Sequence, residues 1–234
     1  MEIKLPQGKI QLDKDYNQVV LLVAGGRKPE KPWLDVLPAD WLVYAADRGA
    51  DYCVDAGLKI DRLYGDRDSS LPAKWEKAAT SAEVKVFPVA KDATDLDLLL
   101  SSISSPSLLV ATGIWGGRAD HLYTNILSLL KWQEDTKGQV IMADQEEIMI
   151  LLKGAAKVQF KRTISPAAVS ILPFGEEPLV SITGVRWPLD SYCCGLKSPG
   201  YTVSNVMTED LCRVICHQGN LGFYLNFNKG EFHG

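Results

Sequence analysis

Val19-Val20-Leu21-Leu22-Val23-Ala24-Gly25-Gly26 is an unbroken apolar run of strand length that ends in paired glycines. Such a run reads as a strand buried on both faces, because a half-buried strand would alternate apolar and polar residues. Comparable runs recur at Trp41–Ala46 and Leu108–Thr112, Leu63-Tyr64 closes a shorter strand, Glu83–Phe87 alternates as a strand, and Gln139–Ala143 adds a sixth. Helical patterns lie between them. Ala50–Ala56 is short, Pro72–Ser81 carries proline in its first turn, and Asp95–Ser102 follows Thr94, which with Asp97 forms a capping-box pattern. In Asp120–Trp132, Leu122, Ile126, Leu129 and Leu130 recur at helical spacing. Buried strands alternating with helices predict a three-layer α/β/α domain with a mainly parallel sheet. Right-handed crossovers then bring the carboxyl ends of the strands to one edge, where ligands bind. Asp47, Asp66, Lys91-Asp92 and Gly113 all follow strands and are expected there.

After Gln145 the pattern changes. Short strand-like runs occur at Ile148–Leu152, Val158–Arg162, Ala168–Leu172, Val180–Thr183, Thr202–Val206, Leu211–Cys216 and Leu221–Phe227. Turn residues separate them, at Gly154, Gly175, Gly184, Gly195, Gly200 and Gly219-Asn220 among others. This punctuation predicts an all-β sandwich or barrel. The expected domains are residues 1–144 and 145–234.

A net charge of −4 provides no global field for nucleic acid or an acidic membrane, so an anionic ligand must be met by local Arg or Lys. No run approaches the roughly 20 apolar residues of a membrane span, and Met1–Gln18 lacks the apolar core of a signal peptide. The five cysteines show no C-x₂-C ladder. Cys212 and His217 could be ligands, although buried thiols in a strand are the plainer reading. A cytoplasmic protein is expected.

Three stretches carry chemistry. In Gly65-Asp66-Arg67-Asp68-Ser69, two carboxylates sit two residues apart. In extended backbone they face the same way and could hold Mg²⁺, though a polar loop after a strand has the same look. Lys91-Asp92-Ala93-Thr94-Asp95 opens a helix whose free N–H groups suit phosphate, with Asp92 and Asp95 as metal ligands or as capping acids. In Gly113-Ile114-Trp115-Gly116-Gly117-Arg118-Ala119-Asp120-His121, the glycines permit close backbone approach and Arg118 offers a fork to two oxygens. His121 and Asn125 share the face of the next helix, His121 as a base or as a structural histidine. No G-x-x-x-x-G-K-[S/T] loop is present.

In order and spacing, Asp47-x-Gly49, Gly65-Asp66-x-Asp68-Ser69, Lys91-Asp92-x-Thr94-Asp95 and Gly116-Gly117-Arg118-x-Asp120-His121 resemble the thiamine pyrophosphokinase family. Thr183-Gly184-x-x-Trp187-Pro188-Leu189, Gly200 and Ser204-Asn205 are similar to that family's thiamine-binding half. The resemblance spans about Val19 to Leu225. It implies a Mg²⁺-dependent transferase that moves the pyrophosphoryl group of ATP to the hydroxyl of thiamine, giving thiamine diphosphate and AMP. By the same resemblance, Asp66, Asp68 and Asp95 would hold the metal, with Arg118 and Asp120 completing the catalytic set. Asp47, Arg48, Gly116, Gly117, Arg118, His121 and Asn125 would line the ATP side. Lys91, Asp92, Ser204 and Asn205 would serve the thiamine side, and a homodimer would build each site from both subunits.

The family's D-G-G-A-N reads Asp47-Arg48-Gly49-Ala50-Asp51 here, and Arg67 replaces the phenylalanine of G-D-F-D-S. Arg67 could pair with a phosphate or Asp51, or face solvent. Trp187 and Tyr201 could stack on a thiamine ring, pack in the core or meet a partner subunit. Two alternative readings are a pyrophosphokinase for a hydroxymethyl-pterin and a non-catalytic thiamine- or nucleotide-binding module. The intact Asp66, Asp68, Asp92 and Asp95 speak against the module.

Overall fold

The structure, a computed structural model, describes residues 1–88, 92–103, 106–195 and 200–228. It divides into two compact units, Tyr16–Asp144 and a second made of Met1–Asp15 with Gln145–Gly234. The chain opens with a hairpin of β1 (Glu2–Leu5) and β2 (Gly8–Leu12), whose inward residues Ile3, Leu5, Ile10 and Leu12 are buried. The expectation of a single unit over 1–144 therefore changes at its start. β2 pairs with a strand of the C-terminal unit, Ile10 opposite Phe160, so the leading segment belongs to that unit. Pairing across some 150 residues of sequence leaves no local signal.

The α/β unit holds β3 (Val19–Val23), α1 (Lys31–Leu34), β4 (Leu42–Ala46), α2 (Gly49–Ala56), β5 (Arg62–Gly65), α3 (Pro72–Ala79), β6 (Glu83–Val86), α4 (Asp95–Ser101), β7 (Leu108–Thr112), α5 (Ala119–Thr136) and β8 (Gln139–Ala143). Its strands are all parallel, in the order β8-β7-β3-β4-β5-β6. Leu22, Ala45, Leu63, Val110 and Ile141 are fully buried, the double-sided burial that the apolar runs predict. The order of strands reverses at β3, which has β4 on one side and β7 on the other. That reversal opens a crevice at the carboxyl edge. Pro72 takes the first turn of α3, and Thr94 and Asp97 close the capping box of α4 with both hydrogen bonds made.

The second unit adds β9 (Glu147–Lys153), β10 (Ala156–Arg162), β11 (Ala168–Thr183), β12 (Leu189–Cys193) and β13 (Leu211–Asn226) to the hairpin, all antiparallel. Two of its strands run for 16 residues where the sequence predicts four short ones. Gly219, read as a turn, has φ +81° and lies within β13. On one side of that glycine β13 pairs with β10 through Leu211–Cys216, and on the other with β9 through Asn220–Asn226. β11 follows it along both halves, with its register shifting between Phe174 and Leu179. Thr202–Val206, expected as a strand, makes only an isolated bridge from Asn205 to Val169. β12 was not signalled, since Leu189-Asp190-Ser191-Tyr192-Cys193 is mostly exposed and lacks an apolar face. Among the described residues, no helix is long and apolar enough to cross a membrane.

Candidate active site

A cavity of about 560 Å³ lies in the α/β unit at the carboxyl edge of the sheet. Gly25-Gly26 after β3, Asp47-Arg48 after β4, Asp66 and Asp68 after β5, Asp95 at α4, and Gly116-Gly117-Arg118 after β7 all line it. His121 and Asn125, at the start of α5, complete one wall. Seven positions expected on the ATP side thus share one cavity.

Asp47, Asp66 and Asp95 each turn one carboxylate oxygen inward, and those oxygens lie within 4.8 Å of one another. Three hard oxygen donors gathered that closely suit Mg²⁺. Asp95 is buried in the first turn of α4, behind a capping box that leaves its carboxylate out of the capping work. Asp47 is held by a backbone in the left-handed region, φ +50°, which Asp tolerates better than most residues. Its N–H donates to Tyr64 O at 3.0 Å and its carbonyl accepts from Ser70 Oγ at 2.8 Å, which ties the loops after β4 and β5 together.

The loop after β5 differs from the extended geometry expected of it. The strand ends at Gly65, and the Asp68 N–H donates to Asp66 Oδ1 at 3.1 Å, making an Asx turn with Arg67 at φ +70°. Asp68 lines the cavity, yet the three-carboxylate group contains Asp47 in its place. Sequence reasoning put Asp47 with the nucleotide and missed its place beside Asp66 and Asp95. The signal available was its position after a strand on the shared edge. Arg67 lies over the buried Trp75 ring, 5.7 Å from its centroid, and Asp51 accepts the Leu71 N–H at the start of α3.

Arg118 forks onto Asp120, with Nε to Oδ1 at 3.1 Å and Nη2 to Oδ2 at 2.5 Å. The hydrogen-bonded guanidinium holds the Asp120 carboxyl below the usual range, and Asp120 in turn holds Arg118 charged. Both are exposed, so the pair orients the guanidinium more than it stabilises the fold. Gly116 and Gly117, at φ +79° and +71°, make the turn that precedes it. Arg48 donates from Nε to Ser69 O at 3.3 Å. Asp92 is exposed and outside the three-carboxylate group, while Lys91 lies outside the described residues.

Ser204 and Asn205 belong to the β unit. Ser204 has φ +58° and donates its N–H to Ser170 Oγ at 3.1 Å. The Asn205 amide holds the Trp187 backbone, accepting its N–H at 3.2 Å and donating to its carbonyl at 2.7 Å. Asn205 is therefore committed to presenting Trp187. Trp187 and Tyr201 are 55% and 66% exposed, which rules out core packing for both. Tyr201 stacks on Tyr192 with centroids 5.0 Å apart. Cys212 is buried in β13, and His217 Nε2 meets Ser181 Oγ at 2.9 Å, so the two do not form a ligand pair.

A crevice at a strand-order reversal, furnished with gathered carboxylates, glycine turns and an oriented arginine, defines an α/β protein that handles phosphate groups. Residues 34–142 match the family model described as thiamin pyrophosphokinase, catalytic domain. A thiamine pyrophosphokinase of Bacillus subtilis is 29% identical over 181 residues, covering 74% of this chain and 83% of that protein. The chain is thus similar to thiamine pyrophosphokinases, most directly over the catalytic region at residues 34–142. A crystal structure of thiamine pyrophosphokinase from Bacillus subtilis superposes with a TM-score of 0.78 at 24% identity, over 90% of this chain and all of that one. The yeast enzyme's structure gives 0.70 at 16% identity, covering 92% of this chain and 88% of its own. Both carry the fold alone at these identities.

Proposed function

We propose that the protein transfers the pyrophosphoryl group of ATP to the hydroxyl of thiamine, releasing AMP and thiamine diphosphate. One observation carries this reading. Asp47, Asp66, Asp95 and Arg118 come from four segments within the matched 34–142, and all line one cavity. In-line transfer to a hydroxyl needs positioning and charge neutralisation more than covalent help from the protein.

In this reading Gly25-Gly26 and Gly116-Gly117 bring backbone close to the phosphate chain. Arg118, oriented by Asp120, faces charge that spreads over the transferred group, and Arg48 adds a second cation. Asp47, Asp66 and Asp95 would hold Mg²⁺, with Asp68 beside them. Bound there, Mg²⁺ would supply positive charge to offset that of the phosphates. The room for it has a structural cause: a Cβ on Gly65 would fall 2.6 Å from Asp47 Oδ1, so the glycine keeps that carboxylate's place open.

For the thiamine side we infer the face around Ser204 and Trp187, with Trp187 presented by Asn205. Exposed Trp187, Tyr201 and Val203 support both a ring-stacking role and a homodimer in which a partner subunit completes each site. A reducing, cytoplasmic setting would suit the buried thiols of Cys53, Cys194, Cys212 and Cys216.

The test is product formation from thiamine, ATP and Mg²⁺. AMP and thiamine diphosphate in equal amounts, both abolished by EDTA, are expected. Thiamine binding without AMP would contradict the reading.

A further inference from the structure

Two loops at the carboxyl edge of the sheet meet without a side chain between them. Gly25-Gly26-Arg27 follows β3 and Gly113–Gly117 follows β7. Gly26 N donates to Gly113 O at 2.7 Å, and Arg27 N donates to Trp115 O. A Cβ on Gly26 would lie 2.5 Å from Gly113 O, so contact here is backbone on backbone. The Arg27 side chain closes the join. Its guanidinium sits 5.9 Å from the centroid of the buried Trp115 ring. Its Nε and Nη2 reach Asp144 Oδ2, just past β8, at 2.9 and 2.7 Å. Asp144 is fully buried and the Arg27 side chain is 26% exposed. One arginine thereby links the carboxyl ends of β3, β7 and β8. Gly25 and Gly26 on one side of it, and Gly116, Gly117 and Arg118 on the other, are walls of the cavity.

We propose that Arg27 and Asp144 are a positioning pair for ATP: they fix the spacing between these walls and so set the affinity for the phosphate chain. The inference rests on the ATP reading above. Stability alone is a poor reason for such a pair, because replacing both charges of a buried ion pair is often neutral or favourable, whereas removing one leaves the other uncompensated. Geometry is a better reason, since a displacement of about 1 Å can cost up to a hundredfold in rate.

The experiment compares wild type, Arg27→Lys, Arg27→Met and the double variant Arg27→Met/Asp144→Asn for urea midpoint, ATP KM, thiamine KM and kcat. The double variant is expected to regain most of the midpoint lost in Arg27→Met while ATP KM stays raised roughly tenfold and thiamine KM moves less than twofold. Arg27→Lys keeps the charge without the fork, and should fold normally with a similarly raised ATP KM. A wild-type ATP KM in folded Arg27→Lys or in the double variant would overturn the inference, as would an equal rise in both KM values. If wild type itself makes no AMP from ATP and thiamine, the parent reading fails, a result distinct from either of these.

Discussion

Asp47 Oδ1 lies where Gly65 has no side chain: a Cβ there would stand 2.6 Å from the carboxylate oxygen and 3.1 Å from the Trp75 ring. The carboxylate can move and the ring, buried beneath the loop, cannot do so as easily. Gly65→Ala is therefore expected to push the Asp47 carboxylate away from Asp66 and Asp95. The Mg²⁺ concentration for half-maximal activity should rise roughly ten- to a hundredfold, the range seen when a metal site loses its support. The unfolding free energy should fall by about 1–3 kcal/mol from overpacking. An unchanged Mg²⁺ requirement would show that Asp47 does not belong with the metal.

Asp66→Asn and Asp95→Asn should each lower turnover at fixed Mg²⁺ by at least about a hundredfold, the scale of losing one electrostatic group at a reacting centre. Far-UV circular dichroism should remain unchanged, since an amide keeps the shape of the carboxylate it replaces. Full activity in either variant would remove that residue from the site.

Asn205→Ala removes the amide that accepts from and donates to the Trp187 backbone. Thiamine KM is expected to rise about tenfold, consistent with leaving polar groups unpaired and a ring unsupported, while ATP KM stays within twofold. A rise confined to ATP KM would place the Trp187 face elsewhere in the chemistry.

Burial pushes the Cys53 and Cys212 thiols up to about 12 and Cys216 up to about 11. Above an ordinary thiol value near 9 the unfolded chain loses these protons and the folded one keeps them. Stability should therefore be fully present below about pH 9 and decline as pH rises toward 11–12, with a slope of about 1.4 kcal/mol per pH unit for each thiol. Cys53→Ala should make that decline shallower in urea melts at pH 8 to 10.5. An unchanged pH slope would mean that Cys53 is not protected from ionising.

Much of the α/β unit is legible in the sequence because its strands are buried on both faces. Leu21, Leu22, Val110 and Ile141 announce themselves as apolar runs, and Thr94 with Asp97 announces a helix start. The β unit is harder to read, since Gly219 and Gly175 mark bends in long strands as readily as turns between short ones. Nothing local tells Ile10 that its partner is Phe160. At the site, Asp66 and Asp68 were visible as a pair in sequence, but the grouping of Asp47, Asp66 and Asp95 depends on three strand-to-helix crossovers meeting at one edge. The commitment of Asn205 to Trp187 is likewise a fact of three dimensions, since the two stand 18 positions apart in sequence.

The most direct test of pyrophosphoryl transfer follows ATP carrying an isotopic label in its β-phosphate through a single turnover with thiamine. The label is expected in thiamine diphosphate, with unlabelled AMP in equal amount. Labelled ADP beside a thiamine monophosphate product would contradict it, because the bond broken would then be the one between the β- and γ-phosphates.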